Sequence, residues 1–287
     1  MTSLAAGLDA PPSGRARAVW FDAYPYCCAR LGGGAAVPWT APGDLVALAS
    51  KAQSMFASDA LLVDLDDLYG QQVITRDDLR GAMGARTRPG FALRTLLADE
   101  RCREVAVAAA GALASSSRGT AVILRLPSPA RWVAVAAAAA SNGAGAEPIS
   151  PDVAEAGAMY VADLLRVFGG VALAGLLLDE GATPKAELVT VEAYRAVLNV
   201  AEHFGWPVLV RTDGAECWPA GPQPGVAAWI GTSAPSALNA ERWGIVVPGA
   251  AWLAGHGLPA VSGGPAIVVI PADADPVVVM QRVRELG

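Results

Sequence analysis

The chain has 287 residues and a formal net charge of -6, with 53% apolar residues against 17% charged. That balance implies a large buried core and argues against a nucleic-acid backbone as partner. The longest apolar runs, such as residues 132–140, fall short of the roughly 18 residues of a membrane span.

MTSLAAGLDAPPSG lacks the basic and apolar regions of a secretory signal, so a cytoplasmic location is expected. Residues 1–16 are polar, with Pro11-Pro12 and Gly14, and are expected to form a flexible leader before a single domain over 17–287. Ala18-Val19-Trp20-Phe21 reads as a first strand that ends in Asp22 and Tyr24. Asp44 is expected to cap a helix reaching about Ser58. A second strand, Ala60-Leu61-Leu62-Val63, runs into the acidic cluster Asp64, Asp66 and Asp67.

Residues 70–117 form the longest segment between strands, with helical patterns at 76–84, 90–98 and 99–114, and read as a helical insertion. A third strand over 121–124 ends in Arg125-Leu126-Pro127-Ser128-Pro129, before an Ala-rich helix over 130–141. A turn with Gly143, Gly145 and Pro148 leads to a helix over 151–168, for which Ser150 suits the N-cap and Pro151 the first position. A fourth strand, 171–178, closes on Asp179-Glu180-Gly181.

Residues 190–213 hold a complete helix–strand unit. Val191, Tyr194, Val197, Leu198 and Ala201 make one apolar helical face. Gly205 and Pro207 stop the helix. Val208-Leu209-Val210 is then a strand buried on both faces, tipped by Arg211, Thr212, Asp213 and Gly214. Further strands follow at 226–230, 244–247 and 266–270. Short helices are expected from Pro235 and after Gly249, and Asp275-Pro276 opens a last helix.

Eight apolar strands alternating with helices predict an α/β fold with a parallel sheet, a (β/α)8 TIM barrel with a helical insertion after the second strand. An open doubly wound sheet is the competing architecture, but no GxGxxG follows the first strand. In a barrel, polar strand tips carry the chemistry.

Several stretches, in order, resemble the superfamily of uroporphyrinogen decarboxylase, corrinoid methyltransferases and cobalamin-independent methionine synthase. They are RAVWFDAYP, DALLVDLDDL, AVILRLPSPARW, YRAVLNVAEHFGWPVLVRTDG and DADPVVVMQRV. The resemblance implies a barrel with its pocket at the strand C-termini and a second-strand aspartate near the pocket centre. Asp66 is the best match, with Asp64 and Asp67 as competitors. GHGL at 255–258 resembles a decarboxylase motif containing a histidine, although it precedes the eighth strand here. The decarboxylase arginine pair is missing, because Asp22, Ala23 and Tyr24 stand in its place. The zinc-binding His-x-Cys of the methyltransferases is missing too, since the fifth-strand tip reads Arg211-Thr212-Asp213 and Cys217, His203 and His256 do not restore it.

Clustered carboxylates raise one another's pKa and suit proton transfer, so Asp66, Asp64 and Asp179 are the catalytic candidates. Their structural alternative is solvated acids in strand-end turns, or a cap in the case of Asp179. Arg211 is a candidate carboxylate clamp, or else an ion-pair partner of Asp213. Arg125 and Arg131 flank a Pro-containing turn and are candidates for an anion site. Glu180, Asp213, Tyr24 and His256 complete the substrate-binding candidates, His256 from a Gly-flanked loop that reaches over the pocket. His203 is expected to be structural, near a helix C-terminus. Cys27, Cys28, Cys102 and Cys217 show no CxxC spacing and are expected as reduced thiols.

The resulting expectation is a metal- and cofactor-free lyase that decarboxylates a small carboxylic acid other than uroporphyrinogen. The alternatives are a methyltransferase relative and a non-catalytic metabolite-binding barrel. A small-molecule substrate is expected, with no nucleic-acid or membrane partner, and a homodimer is left open.

Overall fold

The computed structural model describes residues 4–117, 119–141, 149–181, 191–213, 223–233 and 242–286. The expected turn at Gly143, Gly145 and Pro148, the helix from Pro235, Gly214 and Cys217 lie outside them.

The chain begins with α1 (Leu4–Asp9), β1 (Val19–Asp22), α2 (Tyr24–Leu31) and α3 (Pro42–Phe56), followed by β2 (Ala60–Asp64). Next come α4 (Leu65–Thr75), α5 (Asp77–Met83), α6 (Phe91–Ala98) and α7 (Glu100–Ser116), then β3 (Ala121–Pro127), α8 (Pro129–Ala140), α9 (Pro151–Arg166) and β4 (Gly175–Asp179). A 3-10 turn at Val191–Tyr194 precedes α10 (Arg195–Phe204) and β5 (Val208–Arg211). The remaining elements are β6 (Val226–Gly231), β7 (Trp243–Pro248), α11 (Gly249–Leu253), β8 (Gly263–Val269) and α12 (Pro276–Arg284).

All eight strands join one sheet in the order β1-β8-β7-β6-β5-β4-β3-β2, and every ladder in it is parallel. The sheet curls into a nearly closed barrel, as the alternation of strands and helices predicts. Its seam is the β1–β2 junction, where side chains replace most of a ladder. The Asp59 amide donates to Val19 O at 3.0 Å, and Asp59 Oδ2 accepts from the Val19 amide at 2.8 Å. Ser58 Oγ accepts from the Phe21 amide at 3.0 Å and donates to Ala60 O at 2.7 Å.

Alternate strand residues face the lumen. Trp20 of β1, Leu62 of β2, Ile123 of β3, Leu177 of β4, Leu209 of β5, Ile230 of β6, Val246 of β7 and Ile267 of β8 form one apolar cluster. Leu4 and Leu8 of α1 join it from the N-terminal end of the barrel. Gly175 makes room there: a Cβ on it would lie 2.8 Å from Pro207 O and 2.9 Å from Leu4 Cδ2. The opposite strand faces pack under the helices in a second, larger cluster.

Three expectations change. The N-terminal segment is not a free leader, because its apolar residues find a hole to fill. Leu4 and Leu8 are buried, Asp9 pairs with Arg242 at 3.0 Å, and the Ser13 amide donates to Asp59 Oδ1 at 2.8 Å. Asp44 is not the cap of α3: Ala41 holds that position and Asp44 lies in the first turn, where an acid still suits the helix dipole. The helical segment after β2 starts earlier than residue 70, at Leu65 directly on the strand tip. Among the described residues no helix is long and apolar enough to cross a membrane.

Candidate active site

Two residues beyond each lumen-facing apolar residue of β1 to β5, the side chain becomes charged. Asp22 follows Trp20, Asp64 follows Leu62, Arg125 follows Ile123, Asp179 follows Leu177 and Arg211 follows Leu209. The strand period of two aims this second set at the lumen as well, now at the C-terminal mouth. Register sets opposite charges side by side, with Asp64 beside Arg125 and Asp179 beside Arg211.

Arg125 is the hub, its side chain only 15% exposed. Its Nη1 lies 2.7 Å from Asp22 Oδ2 and 3.4 Å from Asp64 Oδ2, and its Nη2 lies 2.7 Å from Asp179 Oδ2. Burial works against its charge, but the three carboxylates outweigh burial and raise its pKa. Asp179, 3% exposed at its side chain, also receives Arg211 Nη1 at 3.1 Å and faces Arg131 Nη1 at 3.5 Å. Burial would raise its pKa, yet Arg211, Arg125 and Arg131 together hold it below the usual carboxylate range.

Asp64 has the opposite balance. Burial pushes its pKa up to about 6, aided by Asp22 and Asp66 and resisted by Arg125 and a backbone amide. Its Oδ1 caps α4 by accepting from the amides of Asp66 and Asp67 at 2.9 and 3.3 Å. Asp64 is thus a carboxyl group that carries a proton for part of the time near neutral pH, beside a permanent cation.

Asp66, the leading candidate by resemblance, belongs to the first turn of α4 and not to the strand. Its Oδ2 accepts from Arg131 Nη2 at 2.7 Å. Asp67 turns outward to Trp39 Nε1 at 2.7 Å and Gln71 Nε2 at 3.0 Å. The lumen-facing member of the cluster is Asp64, because the strand continues through it. Arg131 crosses the mouth over Gly181, whose φ is +61°; a Cβ there would lie 3.0 Å from Arg131 Nε.

Glu180 lies beside this network. Ser128, which caps α8, donates to Glu180 Oε2 at 2.6 Å, and burial raises the pKa of Glu180. At the β5 tip, Arg211 Nε is buried with no hydrogen-bond partner. Asp213 Oδ1 is also buried without a hydrogen bond, but it forms the expected ion pair with Arg211, 3.6 Å from its Nη2.

Other candidates fall elsewhere. His256 lies in the connection from α11 back to β8, at the N-terminal end of the barrel, so it cannot reach over the mouth. Its carbonyl is held there by Arg282 Nη2 at 2.8 Å. Tyr24 starts α2 and packs edge-on to Trp39; burial, Cys27 and Asp22 raise the pKa of its phenol. Arg30 is tied to the carbonyls of Asp273 and Ala274. His203 stands in the last turn of α10, as expected. Cys27, Cys28 and Cys102 are buried free thiols, and burial raises the pKa of each.

Asp22 is the participant missing from the sequence-based candidates, marked there as a strand end in the place of the absent arginine pair. The alternation Ala18, Trp20, Asp22 was the signal that could have found it. Among the described residues no three His, Cys, Asp or Glu side chains converge in a way suited to a metal ion. Chemically, the mouth combines an acid of raised pKa, a buried guanidinium hub and a second guanidinium whose Nε has no hydrogen-bond partner. No protein-family model matches the chain, and no curated protein matches it either.

Proposed function

We propose that the chain is a lyase that works without a cofactor and releases carbon dioxide from a small carboxylic acid at the C-terminal mouth. The observation that carries this reading is Asp64, facing the lumen 3.4 Å from Arg125 with its pKa at about 6. In the protonated form Asp64 gives its proton to the carbon that bears the departing carboxylate. The carbon–carbon bond electrons return to the substrate skeleton, carbon dioxide leaves, and solvent returns a proton to Asp64. Arg211, whose buried Nε has no hydrogen-bond partner, holds a substrate carboxylate. Arg125 holds Asp22 and Asp179 in place around the acid, at 2.7 Å from each.

One observation favours a second reading, a barrel that binds a metabolite without converting it. Arg125 and Arg131 are already matched to carboxylates of the protein itself. Carbon dioxide release from a panel of electron-rich carboxylic acids separates the two. Asp64→Asn is expected to lower the rate by about 10²-fold or more, in line with the loss of a positioned acid. Arg211→Gln is expected to raise KM. If no acid in the panel releases carbon dioxide with the unmodified protein, the binding-only reading stands instead.

A further inference from the structure

We propose that the groove between α5 and α6 is a second binding site, for a small multivalent anion such as a phosphate ester or a polycarboxylate. The sequence concentrates positive charge there: residues 79–98 contain Arg80, Arg86, Arg88 and Arg94 and no acidic residue, in a chain of net charge -6. The groove holds about 490 Å³ and is lined by Arg76, Asp78, Arg86, Phe91, Arg94 and Asp99 among others. That volume lies within the roughly 300–1,000 Å³ of small-molecule sites.

Its charges are not equally committed. Asp78 and Asp99 both pair with Arg76, at 2.9 and 2.7 Å. Asp99 also caps α7 through the Cys102 amide at 2.9 Å, so this triad is a fixed wall. Arg86 and Arg94 have no carboxylate partner among the described residues. Arg86 lies over the Phe91 ring, 5.4 Å from its centroid, which orients the guanidinium while leaving its N–H edge free. Arg94, one helical turn beyond Phe91, faces the same groove. The wall sets one cation against two carboxylates, so with Arg86 and Arg94 the groove keeps a net positive charge, and these two uncommitted guanidinium groups suit a compact ligand with two or more negative charges. α6 also packs on α8, whose first turn carries Arg131, so this groove is one helix removed from the barrel mouth.

Isothermal titration of the full chain with pyrophosphate and with citrate, at low salt, tests the proposal. One-site binding is expected, weakened about tenfold by Arg86→Gln or Arg94→Gln, the loss of one charge-assisted contact. The double variant is expected to lose the binding, whereas Arg211→Gln leaves it unchanged. Preference for pyrophosphate or citrate identifies the anion as phosphate or carboxylate. The proposal is overturned if neither anion binds, if the double variant binds like the unmodified protein, or if Arg211→Gln abolishes binding. Both arginines are exposed, so the variants are expected to keep the far-UV circular dichroism of the parent.

Discussion

The lower and upper halves of the barrel lumen are built from the same strands, two residues apart, and obey different physics. In the lower half Trp20, Leu62, Ile123, Leu177 and Leu209 fill space, and any residue of suitable volume serves. In the upper half Asp22, Asp64, Arg125, Asp179 and Arg211 each depend on the identity of their neighbours. One layer is held by shape and the other by charge. A fault in the first is felt at every pH, and a fault in the second depends on protonation.

The largest expected effect tests this contrast directly. Arg125→Met leaves Asp22, Asp64 and Asp179 without their shared cation and is expected to cost about 3–5 kcal/mol of stability at neutral pH. Leu177→Ala, one layer below, is expected to cost about 2–5 kcal/mol through the cavity it leaves. Denaturant titrations from pH 7 down to pH 4 separate the two. The Arg125→Met deficit is expected to shrink as the carboxylates take up protons, whereas the Leu177→Ala deficit stays constant. Equal pH dependence of the two variants would break the comparison.

A smaller effect is expected at the seam. Asp59→Ala removes the acceptor for the buried Val19 amide and is expected to cost about 1–3 kcal/mol, the penalty of an unsatisfied buried donor. Faster exchange of the Val19 amide hydrogen is the accompanying signature.

The smallest effect on stability is expected from Asp64→Asn, which keeps the α4 cap. Because the folded pKa of Asp64 is raised to about 6, the folded state binds more protons than the unfolded chain between about pH 4 and 6. The contribution of Asp64 to stability is therefore full at low pH and is lost as pH rises through 6. Asn is expected to leave stability at pH 8 unchanged or raised by up to about 1 kcal/mol. In the catalytic reading, activity of the parent falls as pH rises through about 6, and a flat profile over that range would remove Asp64 as the acid.

The lower layer was far more legible in the sequence than the upper. Val208-Leu209-Val210 and its counterparts announce strands by local composition, and Gly205 ends α10 where its position predicts. The mouth depends on which residues meet across strands from 32 to 103 positions apart, and Asp22 with Arg125 is the most distant of these pairs. Asp64 and Asp66 show the limit well. Both look like a strand-end acid, and the register that turns the chain into α4 at Leu65 decides between them. His256 misled because a Gly-flanked histidine carries no mark of which end of a barrel it occupies. Leu4 and Leu8 were missed because a single i, i+4 pair in a six-residue helix is too little to establish a period.

Those two leucines make the barrel a cup with a floor. With α1 seated beneath Trp20, a solute that reaches Arg125 must enter and leave by the same face. In the lyase reading, arrival of a substrate and departure of both products would therefore compete for one doorway.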